Sequence, residues 1–137
     1  MGMFDEVRVM QELAAPVGLP ALRLEQFRVE SAALGFQTKD FDCVLDRYVV
    51  TAYGGLLRQE CSWDTKEVLG EERLEFHGRF EIHTVFFADD AGMVEHNGLK
   101  VRVLGPTFSG EAYVISYVLK FTDGQLVAVE QPCATRL

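Results

Sequence analysis

The chain has 137 residues, of which 48% are hydrophobic, and carries 13 basic against 21 acidic side chains for a net charge of −8. A chain of this length can bury about two thirds of its unfolded surface, so we expect a single domain over residues 1–137. Direct nucleic-acid binding is disfavoured, because proteins that bind nucleic acids neutralise phosphates with many Lys and Arg side chains.

The first part of the chain predicts one strand followed by one helix. Residues Met3–Met10 alternate between apolar and polar side chains, which is typical of a strand. From Pro20 to Leu34 the apolar positions match neither the strand nor the helix period cleanly. Pro20 at a first turn and Gly35 just past the end nevertheless favour a helix there.

A glycine pair places the first of three predicted hairpins. Gly54 and Gly55 stand between two apolar runs, which is typical of a tight two-residue turn. Such a turn fixes the register, and we expect the face with the aromatic and thiol side chains to point to the core. The pairs on that face are Tyr48 with Cys61, Asp46 with Trp63 and Val50 with Gln59.

Two further hairpins are indicated by Asn97-Gly98 and Asp123-Gly124. The first pairs Glu95 with Lys100. The second pairs Phe121 with Leu126 and Val118 with Val129, and both of its faces are largely apolar. Such a hairpin is central to a sheet or covered by another chain, which leaves a homodimer through the C-terminal hairpin open.

The segment between these hairpins completes the predicted fold. Glu75–Ala88 alternates as one long strand, with a bulge or bend expected at Gly78. The sequence therefore predicts a mostly β (α+β) fold, an antiparallel sheet of hairpins with one or two short helices.

Three aspartates near the first hairpin are the strongest candidates for chemistry. Asp40, Asp42 and Asp46 would lie on one side of a continuous strand, with about 6.6 Å between the first two. Carboxylates at that spacing can act as a general acid and base or bind a hard metal ion. Acids at a strand entrance are usually solvated, however, so we expect no catalytic pair and no metal or cofactor site.

The cysteines and histidines give no stronger motif. Cys43, Cys61 and Cys133 are an odd number without CxxC or Cys/His ligand spacing, which predicts reduced structural thiols in a cytoplasmic protein. His77 and His83 would lie about 20 Å apart on a regular strand, too far for one metal ion. No apolar run is long enough to span a membrane, and no basic region precedes an apolar run at the N-terminus, so we expect neither insertion nor export.

Four stretches, taken together in order, resemble a family of small uncharacterised phage and prophage proteins. They are MGMFDEV, FQTKDFDCVLDRYVVTAYGGLL, EFHGRFEIHT and YVISYVLKFTDGQLVAV, and they cover a little under half the chain. Members of the family begin with MGMFD, continue with an FQ(T/S)KD-LDC-type stretch and end with an FTDG-x-L hairpin. The chain departs from that pattern over Met10–Leu34 and Ala88–Gly110.

The resemblance implies a phage-encoded accessory protein made in a bacterial cytoplasm, and it brings no catalytic residues with it. We expect such a protein to bind and inhibit a host or bacterial-defence protein, for example as an anti-CRISPR factor. The alternatives are a small enzyme acting on a nucleotide or metabolite through Asp40 and Asp42, and a minor virion assembly protein. The predicted partner-binding residues are Lys39, Asp40, Asp42 and Asp46.

Overall fold

Ten β-strands and one short α-helix form the regular structure in the computed structural model, which describes residues 5–30, 35–41, 46–62, 64–65, 67–89, 93–102 and 110–137. In chain order the elements are β1 Asp5–Val9, a 3-10 turn Ala21–Arg23, α1 Leu24–Glu30, β2 Phe36–Thr38, β3 Arg47–Val50, β4 Leu56–Cys61, β5 Val68–Leu74, β6 Gly78–Phe87, β7 Met93–His96, β8 Leu99–Arg102, β9 Ala112–Thr122 and β10 Gln125–Arg136. The predicted mostly β fold is confirmed. The prediction of one domain over residues 1–137 stays a prediction.

Eight of the strands form one large sheet in the order β10-β9-β6-β2-β1-β3-β4-β5, and β7 pairs only with β8. Every pair in the large sheet is antiparallel except β1 with β3, which run parallel. The expected all-antiparallel sheet is thus corrected to a mixed one. The chain leaves β1, returns beside it as β2 and then crosses to the other side of β1, so β3 runs in the direction of β1.

One face of the large sheet carries the core. In β9 the side chains of Ile115, Tyr117 and Leu119 are completely buried, and the residues between them are half-buried. The sheet curls so that β10 reaches the β3–β4 turn, where the Leu126 N–H donates to the Gly54 carbonyl at 2.8 Å. Alternate residues of each strand point to the same side of the sheet. The buried side chains of the strands therefore meet on the inner side of the curl as one hydrophobic core.

The segment between β1 and β2 covers part of this interior. The predicted helix over Pro20–Leu34 is found as the 3-10 turn and α1, while residues 31–34 lie outside the described part of the chain. Phe27 is the buried residue of α1, and its ring meets Phe86 edge-on with centroids 5.7 Å apart. One apolar anchor in seven helical residues explains why the apolar spacing of this segment is irregular.

Two of the three predicted hairpins have the expected turns. Glu95 lies opposite Lys100, and Asn97 and Gly98 both have the positive φ of a primed turn. Phe121 lies opposite Leu126 as expected. Val118 instead faces Glu130, because an extra residue between Leu126 and Ala128 forms a bulge that shifts the register.

The apolar character of both faces of β9, the first strand of the C-terminal hairpin, follows from its position. β9 lies between β6 and β10, and its outward-facing side chains are half-buried rather than exposed. The homodimer through this hairpin stays a prediction.

The register predicted for the first hairpin is wrong. Tyr48 faces Arg58 rather than Cys61, and Val50 faces Leu56 rather than Gln59. The turn is wider than expected, because the Thr51 N–H donates to the Gly55 carbonyl at 2.8 Å and so pairs Gly55 with β3. Tyr48 and Val50 are buried as expected, whereas the partner predicted for Asp46, Trp63, lies outside the described residues.

The long strand predicted over Glu75–Ala88 is β6, which begins at Gly78. Gly78 has a φ of 142° and marks the start of the strand instead of a bulge within it. The strand predicted over Met3–Met10 is β1, and residues 1–4 lie outside the described part of the chain.

Candidate functional site

The predicted partner-binding residues do not share one strand. Lys39 and Asp40 follow the end of β2 and are exposed, Asp46 precedes β3 and is buried, and Asp42 lies outside the described residues. The expectation of one continuous strand with three aspartates on one side is therefore corrected. β2 and β3 lie on opposite sides of β1 in the sheet, so they cannot belong to one continuous strand.

Asp46 is held inside the sheet by an arginine from β4. Its Oδ2 atom accepts hydrogen bonds from Arg58 Nη2 at 2.7 Å and from Arg58 Nε at 3.0 Å, and its side chain is 5% exposed. The Asp46 N–H in turn donates to Oδ1 of the buried Asp5 at 3.0 Å. These contacts join β1, β3 and β4 at one end of the sheet.

Asp40 makes a hydrogen bond to the backbone of the neighbouring long strand. Its Oδ2 accepts from the Glu81 N–H at 2.8 Å, and its own N–H donates to Thr38 Oγ1 at 3.3 Å. Asp40 therefore ties the end of β2 to β6. A contact of Lys39 or Asp40 with a partner stays a prediction.

Phe41, the last residue of the stretch FQTKDF (residues 36–41), anchors this part of the chain in the core. Its ring stacks on Tyr48 with centroids 4.2 Å apart, and it meets Phe80 and Phe76 edge-on at 4.8 and 5.5 Å. Such aromatic pairs stabilise a core beyond the area they bury. Residues 36–41 thus consist of the strand β2, two exposed residues that follow it and a core anchor at Phe41.

Metal and thiol chemistry find little support in the described part of the chain. No group of three His, Cys, Asp or Glu side chains that could hold a metal ion occurs among the described residues. Cys61 and Cys133 are free thiols, and Cys43 lies outside the described residues. Cys61 is half-buried, whereas Cys133 is exposed on the edge strand β10. A structural role of the thiols stays a prediction.

A different surface concentrates exposed acidic side chains on one hairpin. Residues 60–74, which comprise the end of β4, the connection and β5, contain five acidic against two basic side chains in a chain of net charge −8. We call the exposed acids of this hairpin the acidic edge: Glu60, Asp64, Glu67, Glu71 and Glu72. A hydrogen bond from the Ser62 hydroxyl, at 2.6 Å, lowers the pKa of Asp64, so its carboxylate stays ionised at more acidic pH than a free aspartate does.

Two shallow grooves run along the acidic edge. One, of about 670 Å³, lies between Asp64 and Leu69, and the other, of about 400 Å³, passes over Gly70. Arg58 and Glu60 line both. Arg58 therefore forms part of the floor of both grooves, its buried partner Asp46 lines only the larger one, and exposed carboxylates form the rim.

β5 is the most exposed strand of the large sheet within the described residues. All its residues from Val68 to Arg73 are exposed, and Leu74 is half-buried. The apolar side chains of Val68 and Leu69 are 47% and 64% exposed. Because adjacent residues of a strand point to opposite faces, β5 is open to solvent on both faces.

The acidic edge is not among the predicted sites. The hairpin predicted around Gly54 and Gly55 extends only to Trp63, and the sequence patterns indicate no strand over 68–74. The available signal was the local excess of acids over residues 60–74, which interrupts the regular alternation expected of a half-buried strand.

No protein-family model, curated protein or solved structure matches this chain. The described helices are also too short and too polar to cross a membrane. The fold and the acidic edge are therefore the observations on which a function must be built.

Proposed function

We propose that this protein is a non-catalytic binding module that attaches through its acidic edge to a basic surface on another protein. The observation that carries the proposal is the set of exposed carboxylates on one hairpin at the end of a large sheet. Because the backbone ladder between β4 and β5 holds Glu60, Glu71 and Glu72 in register, these three charges keep a constant spacing. A fixed array of one sign steers a partner of opposite charge and selects its orientation.

Binding fits this surface better than catalysis does. A pair of catalytic carboxylates needs two different environments within one cleft, so that one group is protonated while the other is ionised. Asp46 is neutralised by Arg58, and the acids of the rim face solvent. Asp40, one of the two residues of the enzyme hypothesis, is engaged with the backbone of Glu81.

The class of partner follows from the charge and from the resemblance to small phage and prophage proteins. We infer a host or bacterial-defence protein whose basic groove ordinarily holds nucleic acid, as in a CRISPR effector. Such a groove is lined with Lys and Arg, and an acidic protein surface can occupy it in place of phosphates. Inhibition would follow from competition for the groove.

The test is co-purification from bacterial cells with the native protein and a Glu60→Lys, Glu71→Lys, Glu72→Lys triple variant. The matched control is a Glu12→Lys, Glu25→Lys, Glu30→Lys variant, which changes the net charge equally at exposed acids elsewhere. We expect a protein with a basic groove to be retained by the native chain and the control and lost by the first variant. High salt should weaken that retention.

Equal retention by both variants, each with a melting temperature close to that of the native protein, would contradict the proposal. Recovery of phage particles instead of a single protein would favour the virion assembly protein, and turnover of a nucleotide by the purified chain would favour the enzyme.

A further inference from the structure

The two edge strands of the large sheet, β10 and β5, differ in how far other segments of the chain cover them. On the free side of β10, the Val17 N–H donates to the Pro132 carbonyl at 3.0 Å, and the Ala134 N–H donates to the Val17 carbonyl at 2.7 Å. The start of β10 is bonded to Gly54, and the strand also carries two register irregularities. Bulges and covering segments of this kind protect an edge from pairing with another chain.

The edge at β5 is less protected within the described residues: Val68–Arg73 are all exposed, and the turn at Gly124 approaches the strand only at its end, next to the Leu74 carbonyl. No described segment bridges its outer side, and its one register irregularity lies near its start, opposite Glu60 and Cys61. An edge strand of seven residues with unpaired backbone groups is a ready template for one more strand.

The hydrogen-bond pattern identifies which backbone groups of β5 face outward. The Gly54 carbonyl accepts from Leu126 on the side of β4 away from β3, and the Thr51 N–H donates to Gly55 on the β3 side. Since residues alternate along a strand, Leu56, Arg58 and Glu60 bond to β5. Their partners in β5 are Leu74, Glu72 and Gly70. The N–H and C=O groups of Glu71 and Arg73, which lie between these partners, therefore point to the free side.

We propose that β5 accepts an extended, basic segment of the partner protein as an additional strand, an inference that rests on the proposed function. The backbone groups of Glu71 and Arg73 would pair with the incoming segment. The carboxylates of Glu71 and Glu72 lie on opposite faces of the sheet, because adjacent residues of a strand alternate. An added strand therefore meets negative charge on both faces.

Gly70 leaves room for a long basic side chain beside Glu72. A Cβ atom placed at Gly70 would have only Glu60 Oε2 within 4 Å, at 3.9 Å. This open space is part of the groove lined by Arg58, Glu60 and Glu72. A lysine or arginine of the added strand can reach over Gly70 to the Glu60 carboxylate, where a charge-assisted hydrogen bond is stronger than a neutral one.

Charge argues for a basic partner rather than a second copy of this chain. Antiparallel pairing of the β5 strands of two copies, centred on Glu71, would place Glu71 of one copy opposite Glu71 of the other. Like charges directly across strands are destabilising. Each copy also carries a net charge of −8. A segment rich in Lys or Arg removes both penalties.

The test compares Arg73→Pro with Arg73→Ala. Both variants lose the same positive charge, but only proline removes the outward N–H, and proline is tolerated on an edge strand when that N–H faces solvent. The probe is a short synthetic peptide of alternating lysine and valine, titrated into the full chain and followed by calorimetry and by amide NMR shifts. A peptide of the same sequence with N-methylated valines, which cannot complete a strand ladder, serves as the control ligand.

We expect Arg73→Ala to bind the peptide at least as tightly as the native chain does, because it makes the edge more acidic. Arg73→Pro should bind roughly tenfold more weakly, since a backbone hydrogen bond is lost. The changes in amide chemical shift of the native chain on binding should be concentrated in β5. The N-methylated peptide should bind the native chain no more tightly than the unmethylated peptide binds Arg73→Pro.

Equal affinity of the two variants would overturn the added strand while leaving attraction to the acidic edge, and so the proposed function, intact. No saturable binding of the peptide to the native chain would also overturn the inference, whereas the co-purification experiment would still judge the proposed function independently. If sedimentation shows that the native chain is a dimer and that Arg73→Pro is a monomer, the added strand comes from a second copy of this chain and not from a basic partner.

Discussion

Arg58 covers the carboxylate of Asp46 from a neighbouring strand, with both Nε and Nη2 bonded to the same oxygen at 3.0 and 2.7 Å. The aspartate is almost completely buried, while the arginine side chain is 30% exposed. The pair thus links the interior of the sheet to the floor of the acidic edge.

Replacement of Arg58 by alanine should destabilise the protein by about 3 kcal/mol, because it leaves a buried carboxylate without its cation. Urea denaturation followed by circular dichroism gives the free energy of unfolding. The matched control is Arg79→Ala, which removes an ion pair with Glu130. The Arg79 side chain is 55% exposed, so the free energy of unfolding should change by no more than about 1 kcal/mol. Equal losses in the two variants would show that burial of Asp46 is not what makes Arg58 important.

Asp40→Ala should lower the free energy of unfolding by about 1 kcal/mol, through loss of the hydrogen bond from the Glu81 N–H. Glu12→Ala, at an exposed acid on another segment, is the control for the loss of one negative charge. Melting temperature and association rate with the co-purified partner are measured on the same samples. Slower association of Asp40→Ala with an unchanged melting temperature would instead assign Asp40 to partner binding.

Gly124 and Gly98 provide a matched pair of glycines in hairpin turns. Their φ angles are 81° and 78°, but a Cβ atom at Gly124 would lie 2.5 Å from the Leu74 carbonyl oxygen, whereas nothing lies within 4 Å at Gly98. Both alanine substitutions carry the strain of a positive φ, about 1–2 kcal/mol. Only Gly124→Ala forces the C-terminal hairpin away from the end of β5, so its melting temperature should fall clearly further than that of Gly98→Ala. Similar losses would mean that the turn conformation alone sets the cost.

Glu111 should give the protein an acid-sensitive contact. Its carboxylate accepts two hydrogen bonds from Arg23, at 2.8 and 2.9 Å, and one from the Tyr113 hydroxyl at 2.8 Å. The Arg23 bonds first, and then the Tyr113 bond, lower the pKa of Glu111 from 4.5 to about 2. Because the folded pKa lies below the unfolded one, the stabilisation is complete above pH 4.5 and is lost as the pH falls towards 2.

Glu111→Gln should therefore lower the melting temperature at neutral pH and flatten its dependence on pH over that acid range. Glu25→Gln, at an exposed acid of α1, is the control and should keep the native pH profile. A Glu111→Gln profile parallel to the native one would contradict the assignment of this acid sensitivity to Glu111.

The turns that were predicted correctly are those whose geometry is set by two adjacent residues. Asn97-Gly98 and Asp123-Gly124 both adopt positive φ throughout, which leaves little choice of turn. At Gly54-Gly55 only Gly54 has positive φ, so the glycines indicate where the chain turns but not how many residues the turn contains. The wrong register then placed Cys61 opposite Tyr48, where Arg58 lies.

The remaining features depend on contacts that are distant in sequence. The parallel pairing of β1 with β3 joins residues about forty positions apart, and no local motif encodes it. The Asp46–Arg58 pair could not be predicted, because it requires the correct register of β3 and β4. β5 was missed because its side chains lack the apolar alternation that identifies a strand with one buried face.

The order of strands in the large sheet has a consequence for synthesis on the ribosome. β1 to β5 are translated before β6, and they can pair among themselves, but β6 gains its second neighbour only when β9 follows. Until that moment the nascent chain holds Phe80, Ile82 and Phe86 on a strand with one side unpaired. Non-local pairing of this kind is slow and exposes aggregation-prone edges. The yield of soluble protein should therefore depend on how quickly the last two strands leave the ribosome.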